Sequence, residues 1–166
     1  MKKYQFPANF WWGSAASGPQ TEGRISGDGK GENIFDYWYK KEPQKFFDQV
    51  GPEKTSQVYT KYQEDVQLMK QTGHNSFRTS IQWSRLIPDE SGTINEEAVR
   101  FYHRYFDELI ENGIEPFVNL YHFDMPMYLQ EKGGWLNRET VTMRKGNFVH
   151  QRILLRSFSM FCVSRN

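Results

Sequence analysis

A single cysteine, Cys162, occurs in 166 residues. That excludes an internal disulfide framework and fits a reducing compartment, so the expected location is cytoplasmic. No apolar run approaches the length of a membrane span. The start, Met1-Lys-Lys-Tyr-Gln-Phe-Pro7, has no apolar stretch behind its basic residues and does not read as a signal peptide. The formal net charge of +1 gives no reason to expect nucleic acid or an anionic membrane as a partner. His74, His103, His122 and His150 lack ligand spacing, so no metal is expected, and no other cofactor. A serine triad has no nucleophile elbow to support it. Gly27-Asp-Gly-Lys-Gly31 is only weakly like a phosphate cradle, because no strand precedes it and no Gly-Lys-Ser/Thr follows.

Acidic residues are also missing from one region. Residues 1–141 carry 16 Lys+Arg against 20 Asp+Glu, whereas residues 142–166 carry five Lys+Arg and no acid. A basic tail of this kind reads either as a partner-binding arm or as sequence foreign to the fold, such as the product of a reading-frame change. The division expected is therefore 1–141 as the structured part and 142–166 as an unrelated basic tail.

What remains is globular in type, with 37% hydrophobic, 25% charged and 16% aromatic residues. Residues 9–16 read as a first short buried strand, with small residues after Trp12 that permit close backbone approach. A long polar connection over 24–54 follows. Val58, Tyr62, Val66 and Met69 recur at helical spacing within 56–72, and Gly73 suits a C-terminal cap. Asn75 to Ile81 alternates as a strand, with Phe77, Thr79 and Ile81 on one side and Ser76, Arg78 and Ser80 on the other. A helix over 95–112 has Asn95 as cap, Glu96 and Glu97 at the positive end of its dipole, and Ile94 placed to staple onto Val99. A third strand over 115–121 ends in His122-Phe-Asp-Met-Pro126, and a short helix covers 127–132. Asn137 is a candidate cap for another helix. Strands separated by crossover helices predict a parallel α/β sheet with function at the carboxyl ends of the strands.

Three strand ends then deliver polar groups to one rim: Gln20 and Glu22, Arg78 and Arg85, His122 and Asp124. Gln and neutral His can both donate to and accept from a sugar hydroxyl. Trp12, Trp83 and Phe123 are candidate apolar faces for a sugar ring. Arg78 stands out, because an always-charged group in a short buried strand calls for an anionic partner. Each residue also has a structural reading. Glu22 can pair with Arg24 or Arg85, His122 can be a satisfied core histidine, and Asp124 can cap the following helix.

The pattern Phe10-Trp-Trp-Gly-Ser-Ala-Ala-Ser-Gly-Pro-Gln-Thr-Glu-Gly23 resembles the N-terminal signature of family 1 glycoside hydrolases. So do Gly29-Lys-Gly-Glu-Asn-Ile-Phe-Asp36, Tyr62-Gln-Glu-Asp-Val66, Phe77 to Pro88, Leu120-Tyr-His-Phe-Asp-Met-Pro126 and Gly133-Gly-Trp-Leu-Asn137, in that order. The resemblance covers about residues 4–141, and its His-Phe-Asp-Met-Pro form is most similar to the 6-phospho-β-glucosidases of that family. It implies a (β/α)8 barrel, of which three βα units are visible, that cleaves β-glucosides with retention, the partner being a 6-phosphorylated β-glucoside. It also implies that Gln20 and His122 hydrogen-bond the glycone, and that Arg78 orients the nucleophilic glutamate. A retaining mechanism needs two carboxyls. The family's acid/base motif, Asn-Glu-Pro, occurs nowhere here, and Glu22 matches neither catalytic position. The chain is therefore expected to be a truncated glycosidase, inactive alone. A non-catalytic sugar-binding protein and one half of a split barrel are the alternatives.

Overall fold

The computed structural model describes residues 3–142 and 161–162. Strand β1 (Gly13–Ala15) leads into one helical turn, α1 (Gly18–Thr21). A connection follows that carries α2 (Ile34–Lys41) and two 3-10 turns, Pro43–Lys45 and Phe47–Gln49. Then come α3 (Val58–Gln71), β2 (Ser76–Ser80), a short α4 (Trp83–Leu86), α5 (Glu96–Glu111) and β3 (Glu115–Asn119). Helix α6 (Met127–Gln130), a 3-10 turn at Gly134–Leu136 and a two-residue β4 (Phe161–Cys162) complete the described elements. The basic tail expected over 142–166 lies outside the described residues, apart from Thr142 and the β4 pair.

All four strands form one parallel sheet in the order β1-β2-β3-β4. Arg78 on β2 stands between Ala15 on β1 and Phe117 on β3. Helices α3 and α5 are the crossovers between the first three strands, which makes two successive βα units of a barrel wall. The predicted alternation holds: Phe77 and Ile81 enter the core with Val118, against Val58, Val66, Phe101, Phe106 and Leu109 of the two helices. The other face of β2 carries Arg78. The first strand is shorter than the expected 9–16, and its three residues are exposed rather than buried. It is an edge of the described sheet, so only one neighbour covers it. Gly13 is nonetheless constrained, because a methyl group there would lie 2.0 Å from the Ser76 carbonyl oxygen.

The helix signals are realised atom by atom. Asn95 Oδ1 accepts from the Glu97 and Ala98 amides at 3.1 and 3.3 Å. Ile94 and Val99 each pack against the core. Gly73 and Gly113 both have φ near the left-handed region, at +80° and +75°. The amides that follow them, of His74 and Ile114, reach back to the Met69 and Leu109 carbonyls, closing each helix with a Schellman turn. Asn137 accepts from the Glu139 amide at 2.9 Å, as a cap does.

Helix α2 was not anticipated inside the polar connection. Its start is a capping box: Asn33 Oδ1 accepts from the Phe35 and Asp36 amides, and the Asp36 carboxylate accepts from the Asn33 amide. Lys30, itself buried, pairs with the same carboxylate. The signal was present as Asn33-x-x-Asp36, a capping box with Asp in place of the usual Glu or Gln.

Two substitutions test this part of the fold. Asn95→Ala removes a helix cap and the 2.9 Å bond from Asn95 Nδ2 to the Asp28 carbonyl, and should cost about 1–2 kcal/mol in a urea melt. Gly31→Ala should cost more, since the added carbon would sit 2.0 Å from the Pro88 carbonyl oxygen and backbone would have to move. A melt in which Gly31→Ala matches wild type would contradict this packing.

Candidate functional site at the strand carboxyl ends

The segments that follow β1 and β3 meet at a cleft of about 360 Å³, within the size range of small-ligand sites. Ser17, Pro19 and Gln20 of the α1 turn form one wall. Phe35, Trp38, Phe46 and residues 50–52 and 55 form another, and His122 and Phe123 form the floor at the end of β3. Gln20 and His122, separate in sequence, thus line one cavity. Gln20 Oε1 accepts from Ser17 Oγ at 2.7 Å. Phe123 is half exposed and adopts φ +59°, a left-handed conformation unusual for a side chain of its size.

Arg78 stands behind His122. Its Nε donates to Asn119 Oδ1 at 3.2 Å, its Nη1 donates to the Ala16 carbonyl at 3.2 Å, and its Nη2 contacts His122 Nδ1 at 3.2 Å. The anionic partner expected from sequence is not among these contacts. Burial, with the Arg78 charge behind it, lowers the His122 pKa, so the imidazole is neutral near pH 7. Asn119, completely buried at the end of β3, was missed by the sequence reading. The signal was an amide in the last position of an apolar strand, facing the same rim as Arg78.

Three rim candidates are structural instead. Glu22 is buried beneath the rim and pairs with Arg85, not with Arg24. Its Oε2 accepts from Arg85 Nε and Gln82 Nε2, each at 2.7 Å, and its Oε1 accepts from the Tyr102 hydroxyl at 2.9 Å. Burial and the Glu22 charge push the Tyr102 phenol well up, so it remains the proton donor in that bond. Arg85 is fully buried. It also pairs with Asp28 at 3.0 Å, donates to the Gly23 carbonyl and lies 4.0 Å above the Tyr59 ring. Burial works against the Asp28 charge, but the Lys30 amide and Arg85 outweigh it and hold this carboxyl below its usual range.

Asp124 caps a different helix from the one that follows it. Its Oδ2 accepts from the Trp83 amide at the start of α4 (2.8 Å), and its Oδ1 accepts from the His122 amide (3.0 Å). It therefore staples the end of β3 to the end of β2. Burial pushes its pKa up to about 6. That value resembles a general acid's, but the group is sealed and both oxygens are engaged.

Of the three candidate stacking rings, Phe123 alone lines the cleft. Trp83 is buried between Tyr121 and Trp135. Trp12 packs with Phe6 and Phe10 before β1, at the opposite end of the strands. Phe35, Trp38 and Phe46, which the sequence reading left in a polar connection, supply the aromatic wall. Among the described residues no group of His, Cys, Asp or Glu side chains is arranged to hold a metal ion, and no helix is long and apolar enough to cross a membrane.

The class defined so far is the opening portion of a parallel α/β barrel with a polar, aromatic-walled cleft at its strand carboxyl ends. Glycosyl hydrolase family 1 matches residues 2–152. The chain is 64% identical over 140 residues to the 6-phospho-beta-glucosidase GmuD of Bacillus subtilis (strain 168), covering 84% of this chain and 30% of that protein. It is 43% identical over 140 residues to beta-glucosidase A of Acetivibrio thermocellus, covering 84% of this chain and 31% of that one. The psychrophilic beta-glucosidase BglU of Micrococcus antarcticus superposes with a TM-score of 0.89 at 37% identity, over 96% of this chain and 34% of that structure. The chain belongs to glycosyl hydrolase family 1, and its sheet is part of that family's (β/α)8 barrel. It spans about a third of the length of these relatives. The resemblance drawn from the motifs and the fold class are thus both borne out.

Two measurements follow. Glu22→Ala strands the buried Arg85 with one carboxylate fewer and should cost about 3–5 kcal/mol, read as a large fall in the denaturant midpoint. Retention of the wild-type midpoint would mean that Arg85 is satisfied without Glu22. Asp124 binds its proton more tightly folded than unfolded. Its contribution is therefore fully present below pH about 4 and is lost as pH rises through about 6. The stability of wild type relative to Asp124→Asn should fall from acid to neutral pH, and a difference that grows with pH would contradict the assignment.

Proposed function

We propose that this chain is the glycone-reading part of a retaining β-glucosidase that acts on 6-phosphorylated β-glucosides. The observation that carries the reading is the convergence of Gln20 and His122 on one aromatic-walled cleft, with Arg78 behind His122. Gln20 and His122 bind glycone oxygens, and the rings of Trp38 and Phe123 cover apolar faces of the ligand. Arg78 orients a carboxylate nucleophile, for which a planar fork suits better than an ammonium. The 64% identity to a protein named as a 6-phospho-beta-glucosidase supports the phosphorylated substrate. A cytoplasmic location belongs to the same proposal, since a phosphorylated sugar does not cross a membrane unaided.

Glycoside hydrolysis with retention needs one carboxyl to protonate the leaving oxygen and another to attack the anomeric carbon from the opposite face. The rim carboxylates of the described residues are Glu22 and Asp124, and both are buried and bound on both oxygens. Neither can move to a substrate without breaking the fold. The two reacting carboxyls therefore have to come from other strands of the barrel, and this chain by itself holds a glycone without cleaving it.

The test joins residues 3–141 of this chain to the remainder of the 64%-identical relative. The chimera should hydrolyse a chromogenic aryl 6-phospho-β-glucoside within about tenfold of that relative, while the 166-residue chain alone shows no turnover. In the chimera, Arg78→Lys should lower kcat more than it raises KM. A folded chimera without activity, or turnover by the chain alone, would sink the proposal.

A further inference from the structure

The contacts around Arg78 restrict the chemistry of its neighbours. A guanidinium offers donors only and does not lose its charge in water. The His122 nitrogen that faces it, Nδ1 at 3.2 Å, must then be the acceptor, and the ring proton must sit on Nε2. The same reasoning fixes Asn119. Turned over, its NH2 would oppose Arg78 Nε, so Oδ1 takes the bond at 3.2 Å. Its Nδ2 is buried without an acceptor among the described residues. The amide therefore carries the cost of one unmet buried donor while supplying the acceptor that Arg78 Nε uses.

We propose that Asn119 is a positioning residue for the sugar-reading rim: by holding the Arg78 guanidinium it locks His122 as the neutral Nε2–H tautomer. The imidazole then presents an N–H to the ligand. At His122 the rim thus offers a donor and calls for an oxygen acceptor on the sugar. The identity of the ligand rests on the glycosidase reading, but the lock is a property of the ligand-free chain and is measured without substrate.

The experiment is long-range proton–nitrogen NMR of the 166-residue chain carrying 15N-histidine, with His122 assigned by His122→Gln. Wild type should show His122 as one neutral tautomer, with an acceptor Nδ1 and a protonated Nε2. In Asn119→Leu the resonances should move toward the averaged values of an exchanging mixture. Asn119→Asp keeps an oxygen for Arg78 Nε and should retain the single tautomer. If the leucine variant does not fold, Asn119→Ser, too short to reach Nε, carries the same expectation. A mixed tautomer in wild type, or an unchanged single tautomer in a folded leucine or serine variant, overturns the lock. Those outcomes leave the glycosidase reading standing, because an inactive chimera is what would remove it.

Discussion

A fully buried arginine organises this structure. Arg85 reaches from the turn after β2 to Glu22 after β1, to Asp28 in the following loop and to the Gly23 carbonyl, with its plane against Tyr59. Gln82 and Tyr102 complete the shell around Glu22, and Asn33 bonds the other end of Gln82. The charges are out of water, so the network is favourable only while every member is present. Its consequence is geometric. The long connection after β1, with its capped helix and aromatic wall, is tied to the end of β2, and a loop that would otherwise wander becomes one side of a cleft.

Asp124 does the corresponding work between β2 and β3. Its two oxygens hold the amides of Trp83 and His122, which fixes the turn that carries Phe123 in a left-handed conformation. That backbone state costs about 1–3 kcal/mol and persists because its flanks are pinned. The rim thus has a division of labour. Buried carboxylates set the positions of the strand ends, and neutral polar groups above them line the cleft. Both oxygens of Glu22 and of Asp124 are committed to the first task.

Much of this is legible in the amino-acid sequence. Periodicity and cap chemistry located α3, α5, β2 and β3, because Val58, Val66, Phe77 and Leu109 repeat at spacings that only helix or strand explains. Gln20 and His122 were read as rim residues and do line one cleft. The misses have a common origin. Glu22 and Asp124 look identical to functional carboxylates in a sequence, and only their burial and partners distinguish them. Trp83 and Trp12 look like stacking surfaces, yet one is buried in the core and the other lies at the far end of the strands. Asn119 was passed over because a single amide in an apolar strand has no local pattern to mark it.

The sequence by itself determined the two crossover helices and the strands they join, the family, and the end of the sheet at which the cleft lies. These follow from local spacing and from motifs whose residues are neighbours in the chain. Tertiary structure alone decided which polar groups line the cleft and which hold its wall. Gln20, Arg78 and His122 come from three separate strand ends, and Glu22 finds Arg85 across 63 residues. A side chain's burial, its hydrogen-bond partners and hence its protonation state are set by groups that become neighbours only when the sheet forms.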